Sequence, residues 1–547
     1  MTGLKDQQEI TFKMRMWFMM IALGCQFAVL ASAQVTTATV YGVVSDPSGA
    51  KISNVQATLT NRETNATRRV SSTAAGEFSF TFIPPGTYSL NLSASGFRSV
   101  IEEGLELTAG QMIRQQYSLQ VSNVSDAIQV TAEAALVNAV SAEQVKTFDE
   151  QQIRTLPVAQ RDWTSLLSLQ PGALNRSGGL AFNGLPPNSF NVTVDGTRAT
   201  QNPEESTLGM FENFNTIKIL SLEAISEVNV TKGIAAAENA NMLSGAVNII
   251  SRGGTNAFHG SLFHNYQSLT LNARDPLVST KPKGVFNQFG GSLGGPVIKD
   301  KLFFFGTYEG YRRSDATTIN DGVPTPEFKQ TILSAQPAFK PILDIFPNPN
   351  QPYAAGETIG RYIAPASRRA EDNHYVGRGD YYLNDSNLFS ARFTHGRPNS
   401  LSPHVAEINP QRFLSRTNNL TGSYTNMGPT VNLQTRFGWS SNSVDRIDGL
   451  YEAGLAGIGG GIGFSAGGER LLSEGTTWSI EEIASISRGR HSIKTGILYL
   501  NNHQARSNIE APGFNYNSHE DLLADIPARI RVTWGVNPYM NKSWDLG

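Results

Sequence analysis

From about residue 256 onward the chain is a succession of segments of ten to twelve residues, rich in aromatics, whose connections alternate between short and long. The clearest are 256–268, 285–297, 301–313, 373–383, 387–396, 418–427, 431–440, 477–487 and 491–501. Short turns at 299–300, 384–386, 428–430 and 488–490 alternate with long connections at 313–372, 397–417, 441–476 and from 502 on. A soluble sandwich has no reason for this asymmetry, whereas a membrane barrel of antiparallel strands carries short turns at one rim and long loops at the other. The length fits too, because a tilted membrane strand needs about 9–11 residues. Within one segment Phe389, Ala391 and Phe393 alternate with Ser390, Arg392 and Thr394, as a wall with one apolar and one polar face requires. After residue 33 no run of 18 apolar residues occurs, so any crossing of a bilayer must be by strands.

Residues 1–33 read as an export signal. Lys5, Lys13 and Arg15 precede an apolar run at 16–30, and Ala31-Ser32-Ala33 offers a small-residue cleavage site before Gln34. The run is shorter than the ~20 residues of a spanning helix. The single cysteine, Cys25, lies inside it, so cleavage leaves a chain without cysteine, which an oxidising compartment tolerates. The 51 glycines and 16% charged residues suit many short strands and turns. With 44 Lys and Arg against 46 Asp and Glu, and no basic stripe interleaved with aromatics, no nucleic-acid partner is expected, and no motif calls for a cofactor.

Residues 225–254 separate these segments from a different N-terminal half. Val228 and Val230 alternate with Glu227, Asn229 and Thr231, the signature of a strand with one buried face, and Gly233 closes it. A second strand follows at Ala246-Val247-Asn248-Ile249-Ile250, nearly all apolar and therefore suited to cover on both faces. On pattern alone this is a β-loop-β unit of any α/β domain. The stretch Ile225-x-Glu227-Val228-x-Val230-x-Lys232-Gly233 and Ser244-Gly245-Ala246-Val247-Asn248-Ile249-Ile250-Ser251-Arg252 resembles the end of the plug domain of TonB-dependent outer-membrane receptors. With Phe286-Asn287-Gln288-Phe289-Gly290-Gly291 and Phe303-Phe304-Phe305-Gly306-Thr307-Tyr308-Glu309-Gly310, it resembles the Oar-like branch, in which a carboxypeptidase-regulatory-like sandwich precedes the plug.

Short strands are predicted at 40–45, 55–61, 69–73, 78–82, 88–94 and 111–119, separated by turns at Asp46-Pro47-Ser48-Gly49, Ala75-Gly76-Glu77 and Pro84-Pro85-Gly86. They predict a small β-sandwich over 34–120, which resembles the carboxypeptidase-regulatory-like family through Gly42-x-Val44-x-Asp46-x-x-Gly49. The sandwich has no histidine and cannot offer a zinc His-x-x-Glu pair; the one such spacing, His404 and Glu407, lies in an expected loop and reads as chance. Similar sandwiches also bind carbohydrate, which keeps that reading open.

In the linker 121–135, the hexapeptide Asp126, Ala127, Ile128, Gln129, Val130 and Thr131 resembles a TonB box, a short strand former able to add to the sheet edge of a periplasmic partner. It reads equally as the last strand of the sandwich or the first of the plug. The plug itself, 136–254, is predicted to be α+β, with helices at 148–155 and 161–168, the latter aligning Trp163, Leu166 and Leu167. Asn191-Val192-Thr193-Val194-Asp195-Gly196 then forms a strand ending in an Asp-Gly turn, so Asp195 reads as a turn former rather than a catalytic acid.

Gly463-Phe464-Ser465-Ala466-Gly467 matches the nucleophile-elbow pattern, and 461–466 a loose dinucleotide pattern, but neither has the strand before and helix after that such chemistry needs. Residues 457–463 are too glycine-rich to read as a buried strand, and the expectation is a flexible surface loop. His259, His264 and His374 are scattered, so no metal site is expected.

The fold expected is mostly β: a small sandwich, an α+β plug, then part of an antiparallel transmembrane barrel over 255–547. The resemblance implies no enzyme but an outer-membrane receptor of a Gram-negative-type bacterium, its N-terminal domains periplasmic, taking up a large or scarce ligand. Its implied partners are a TonB-type coupling protein, outer-membrane lipid and an extracellular oligosaccharide, peptide or siderophore. The competing reading is a non-transporting adhesin or carbohydrate-binding surface protein. A plugged barrel has about 22 strands and the spacing after Gly254 supplies about nine or ten, so the chain is expected to be incomplete as a transporter and its sheet unclosed.

Overall fold

A computed structural model describes residues 36–546 apart from 122–126, 132–143, 157–160, 177–178, 187–189, 200–216, 218, 233–244, 275, 277–280, 282, 405–408, 429, 489–490 and 533–538. The expected export signal and its cleavage site lie outside the described residues.

The N-terminal unit contains β1 (Ala38–Ser45), β2 (Gln56–Asn61), β3 (Thr67–Ser71), β4 (Glu77–Ile83), β5 (Gly86–Ser93), β6 (Ser99–Leu107) and β7 (Met112–Ser118), joined by β8 (Ala127–Thr131). They form two sheets, ordered β4-β1-β7 and β3-β2-β5-β6-β8. Alternation along each strand buries one face, as in β1, where Ala38, Val40 and Val44 join Leu59, Phe80 and Leu90 in a shared core. Sequence periodicity misses β6. A bulge between its partners Tyr88 and Ser89 skips Gly104, so the inward set runs Val100, Glu102, then Leu105, Leu107, and strict alternation fails mid-strand. The buried Glu102 accepts from the Tyr117 hydroxyl at 2.7 Å, which satisfies it.

The second unit contains β9 (Gln144–Phe148), helices α1 (Glu150–Thr155) and α2 (Thr164–Leu167), and a hairpin of β10 (Ala173–Arg176) and β11 (Gly179–Phe182). The strands β12 (Asn191–Val194), β13 (Thr197–Arg198), β14 (Ile225–Lys232) and β15 (Ala246–Ser251) follow. The main sheet is ordered β13-β12-β15-β14-β9, with β12 parallel to β15. Both predicted helices form, shorter than read: Asp149 caps α1 by accepting from the Gln152 amide at 2.8 Å, and Trp163, Leu166 and Leu167 enter the core. As expected, β15 is buried throughout. For β14 the expectation of one wet face is corrected: Glu227, Asn229 and Thr231 are also buried. The 108–111 turn of the sandwich covers Glu227 and Asn229, tertiary cover that alternation cannot report.

The third unit is one large antiparallel sheet. Its strands are β16 (His259–Ser268), β17 (Val285–Ile298), β18 (Leu302–Pro324), β19 (Ile359–Asn384), β20 (Asn387–Gly396), β21 (Asn399–Ser402), β22 (Gln411–Met427) and β23 (Val431–Asp448). The short strand β24 (Gly457–Gly460) lies outside it, and β25 (Glu469–Arg488) and β26 (His491–Glu510) continue it. Two more short strands, β27 (Gly513–Tyr516) and β28 (Arg529–Arg531), precede β29 (Tyr539–Leu546). The order is β16-β17-β18-β19-β20-β22-β23-β25-β26-β29, and among the described residues β16 and β29 do not pair with each other, so the sheet is open. In β23 the inward Asn432, Gln434 and Arg436 are buried while the outward Val431, Leu433 and Phe437 are about two-fifths exposed, the polar-in, apolar-out pattern of a membrane wall.

The strands run further than the sequence predicts. β18 and β19 stay paired from Leu302↔Tyr381 to Pro324↔Ile359, so much of the expected loop 313–372 is ladder. Outside lipid a strand needs no apolar face, and the cue disappears while the pairing continues. The remaining connections pack together: Phe328 and Ile332 of α3 (Pro326–Ala335), Phe346, Leu450, Phe464 and Tyr516 share a second apolar core. The expectation that 457–463 is a flexible loop is therefore corrected. Gly457–Gly460 forms β24, parallel to β27, and Ile458, Ile462 and Phe464 are buried. Glycine permits this, because a Cβ at Gly460 (φ 103°) would stand 2.3 Å from the Tyr516 carbonyl oxygen.

A Cβ at Gly42 would stand 2.0 Å from the Phe78 ring. Gly42→Ala is expected to force that ring out and destabilise the sandwich by about 1–3 kcal/mol. Urea-dependent proteolysis of the N-terminal unit checks this; an unchanged midpoint would refute it.

Candidate functional site

The second unit lies against the inward face of the large sheet, and their contact is largely polar. At its centre is the turn after β12, where Asp195 (φ 51°) and Gly196 (φ 78°) both take left-handed backbone, as a two-residue hairpin demands. Gly196 also makes room: a Cβ there would meet the Arg436 guanidinium at 2.6 Å. Asp195 accepts from the Ser251 amide at 2.9 Å, the Ser251 hydroxyl at 2.7 Å and Arg392 Nε at 2.6 Å. Arg378 stands 3.6 Å away and also donates to the Ser251 carbonyl at 2.6 Å. Arg392, buried in the wall, donates further to Thr394, Asn419 and Thr421, and Thr421 meets Thr197 of β13 at 2.7 Å. One turn of the plug thus engages β19, β20 and β22. Burial opposes ionisation of Asp195, but Arg392, Arg378 and Ser251 outweigh it and hold the carboxyl below its ordinary range.

A second cluster surrounds Ile217 and residues 219–223. Glu223 accepts from Arg161 and from the Ser261 hydroxyl of β16, and Arg161 lies 4.0 Å from the centre of the Phe263 ring. Ser221 and Gln288 both donate to Glu309 of β18, and the Ile217 amide donates to Asp372 of β19 at 3.2 Å. Burial pushes the Glu223 carboxyl up, and Ser261 and Arg161 more than offset that. Phe305 and Val376 of the wall join the core of this unit, and the contacts named above between unit and wall are mostly polar.

The sandwich joins both partners. The Ala109 amide donates to Glu227 of β14 at 3.0 Å and Asn229 donates to the same carboxylate. Burial dominates there and pushes the Glu227 carboxyl up to about 7 despite these donors. Against the wall, Asn65 donates to Asp300 at 2.9 Å, Arg69 pairs with Asp385, Asn432 donates to Thr81 at 2.7 Å and Ser79 meets Ser487 at 3.3 Å. Asp300, Asp385 and Ser487 lie at short turns, so the sandwich sits at the short-turn rim.

Of the hexapeptide singled out in the sequence, Ala127 to Thr131 form β8, an edge strand parallel to β6 in register Ser99↔Ala127 to Glu103↔Thr131; Asp126 lies outside the described residues. Glu407 also lies outside them. Among the described residues no group of three His, Cys, Asp and Glu side chains stands close enough to hold a metal ion. Sequence reasoning read Asp195 only as a turn former; its ionic role was hidden because Arg378 and Arg392 lie nearly two hundred residues away in the chain.

Residues 250–547 match the family model of the outer membrane beta barrel domain. The chain belongs to this outer membrane beta-barrel family. Residues 39–120 match the carboxypeptidase regulatory-like domain. The chain is also 25% identical over 374 residues to the TonB-dependent transporter Oar of Myxococcus xanthus, covering 65% of this chain and 34% of that protein. It therefore spans about a third of the length of the curated relative it matches. Among solved structures it is similar to the outer membrane transporter YddB of Escherichia coli, at TM-score 0.46 and 12% identity, covering 73% of this chain and 52% of that one. It is also similar to the siderophore receptor PiuA of Acinetobacter baumannii, at TM-score 0.42 and 12% identity, covering 74% and 61%. The barrel strands lie in a Gram-negative outer membrane, with the N-terminal domains in the periplasm. The short-turn rim is then the periplasmic one and the second apolar core is an extracellular cap.

Two outcomes follow from this geometry. Asp195→Asn leaves the Arg392 side chain, 2% exposed, without its anion; breaking such a pair costs about 3–5 kcal/mol. Amide exchange in β12 and β15 should rise by orders of magnitude, and unchanged protection would refute the assignment. Glu227 has a folded pKa of about 7 against 4.5, so the folded form keeps a proton that the unfolded chain has released. The contribution of Glu227 to stability is therefore highest at low pH, falls as pH climbs from about 4.5 to about 7, and stays low above that. Glu227→Gln should flatten this fall and gain up to about 3 kcal/mol at high pH. Urea titrations near pH 5 and pH 8 decide it; a variant that falls in parallel with the parent would refute it.

Proposed function

We propose that the protein is a TonB-dependent outer-membrane transporter. The observation that carries this reading is the polar, ion-paired seat of the plug against the inner wall, centred on Asp195, Arg378 and Arg392. A permanent stopper is best served by apolar packing, whereas a plug that must move needs contacts that wall and water satisfy comparably. The chain's similarity to a TonB-dependent transporter supports the same reading.

In this reading a ligand enters from the extracellular side, under the cap. A TonB-type periplasmic protein binds the segment Asp126 to Thr131 by strand addition, using the backbone edge of β8 away from β6, which no strand among the described residues covers. Tension on that segment loosens the plug, and the Asp195 turn exchanges its arginine partners for water. No bond-making step enters this scheme. Oligosaccharide, peptide and siderophore are all compatible ligands. A non-transporting surface binder is the alternative, and no particular contact favours it.

Deletion of residues 126–131 is expected to abolish energised uptake while leaving outer-membrane insertion and surface binding intact. Uptake is read as accumulation of candidate radiolabelled ligands in cells with and without a protonophore. Undiminished uptake after the deletion would defeat the coupling reading, and recovery of the protein in the soluble periplasmic fraction would defeat the whole assignment.

A further inference from the structure

We infer a second function for the sandwich domain: it closes the periplasmic mouth of the pore beneath the plug. The inference rests on the transport reading and assigns to the sandwich a role beyond it.

The sandwich does not merely hang below the barrel. Its β4 sequence, Phe78-Ser79-Phe80-Thr81-Phe82, would by alternation bury all three phenylalanines in one core. Phe78 and Phe80 do enter the sandwich core, but Phe82 does not. The β1–β4 register shifts between Val40↔Phe80 and Ala38↔Ile83, so two residues of β4 oppose one of β1. This bulge, with Phe82 held at φ 54°, points the ring out of the sandwich and onto Ile483 of the wall strand β25. A bulky residue rarely adopts left-handed backbone, and here the docking contact retains it. Phe82 is 4% exposed and Ile483 1%, although neither belongs to the other's domain core.

Around this wedge the fit continues. Thr36, ahead of β1, accepts from Arg436 on the inner wall at 2.8 Å, and Thr81 accepts from Asn432 at 2.7 Å. Phe82, Pro84 and Pro85 stand with Asp195 and Arg436 around a cavity of about 80 Å³ between sandwich, plug turn and wall. That is room for a few water molecules and not for a transported solute. At the rim the sandwich reaches successive periplasmic turns, through Asn65 to Asp300, Arg69 to Asp385, Arg68 to Met427 and Ser79 to Ser487. Along the inner face of the wall the plug and the sandwich therefore stand in series.

The order of their release follows from connectivity. The segment 126–131 leads from sandwich to plug, and β8 is hydrogen-bonded along its length to β6 of the sandwich. Tension applied at β8 acts on the sandwich directly through that ladder, so the lower closure leaves first.

The test uses the protein in planar bilayers, with Asp195→Asn loosening the plug and Cys25→Ser removing the single cysteine. Ser79→Cys with Ser487→Cys places two thiols where the hydroxyls stand 3.3 Å apart. The pair should oxidise to a disulfide, seen as a reductant-sensitive gel shift, and the oxidised protein should conduct little. Reduction should raise conductance several-fold. Phe82→Gly in the same plug-loosened background, without the new cysteines, should conduct at least as much as the reduced form, because glycine accepts the left-handed backbone and the sandwich core lacks Phe82. Equal conductance before and after a verified reduction would overturn the inference, as would failure of the pair to cross-link. Absence of conductance in every variant, Phe82→Gly included, would sink the transport reading as well.

Discussion

A strand in hydrocarbon has no water to satisfy its amides and carbonyls, so every backbone group within the lipid must be answered by a neighbouring strand. The rest of this structure follows from that ladder. Because side chains alternate along it, an apolar outer face obliges the inner face to take every second residue, and that face can be polar. Asn432, Gln434 and Arg436 on β23, and Arg378 and Arg392 on the strands before it, line the inside for this reason. A domain that fills such a lumen must meet polarity with polarity. The Asp195 turn, the cluster around Ile217 and residues 219–223, and the tip of the sandwich are three solutions to that one demand.

The solutions differ in kind. The plug offers a carboxylate to two buried guanidinium groups, an arrangement whose worth depends on both partners being present. The sandwich offers mostly neutral hydroxyls and amides and a single apolar wedge. Its joint to the plug is made through Glu227, a carboxyl left without a cationic partner among its close contacts, so this joint responds to proton concentration near neutrality. The same assembly thus holds one contact that charge pairing fixes and another that protonation adjusts.

Much of this was legible in the sequence. The alternation of short and long connections announced a barrel wall before any family resemblance, because it reflects two rims with different tasks. The apolar run of β15 announced a strand covered on both faces. What escaped were features set by partners remote in the chain. Glu227 and Asn229 read as a wet face until the sandwich covered them, and Asp195 read as a turn former because its arginines lie far downstream. Bulges at Gly104 and Phe82 broke the alternation on which strand reading depends. The glycines at 457–463 read as slack, yet in the structure Gly460 and Gly461 stand where a neighbouring backbone leaves no room for a side chain.

The length of the paired strands carries a consequence for where the protein meets its surroundings. β19 has 26 residues, about 85 Å of extended chain at ~3.3 Å per residue. Tilted by about 40°, it rises roughly 65 Å along the membrane normal, against an apolar band of about 25 Å. More than half of the strand therefore stands clear of the lipid, and since its lower end closes in a tight turn at the periplasmic rim, most of that excess is outside the cell. The wall is a tall curved screen, and its cap sits tens of ångströms above the hydrocarbon. On the transport reading, a ligand would first meet the protein well above the level of the bilayer.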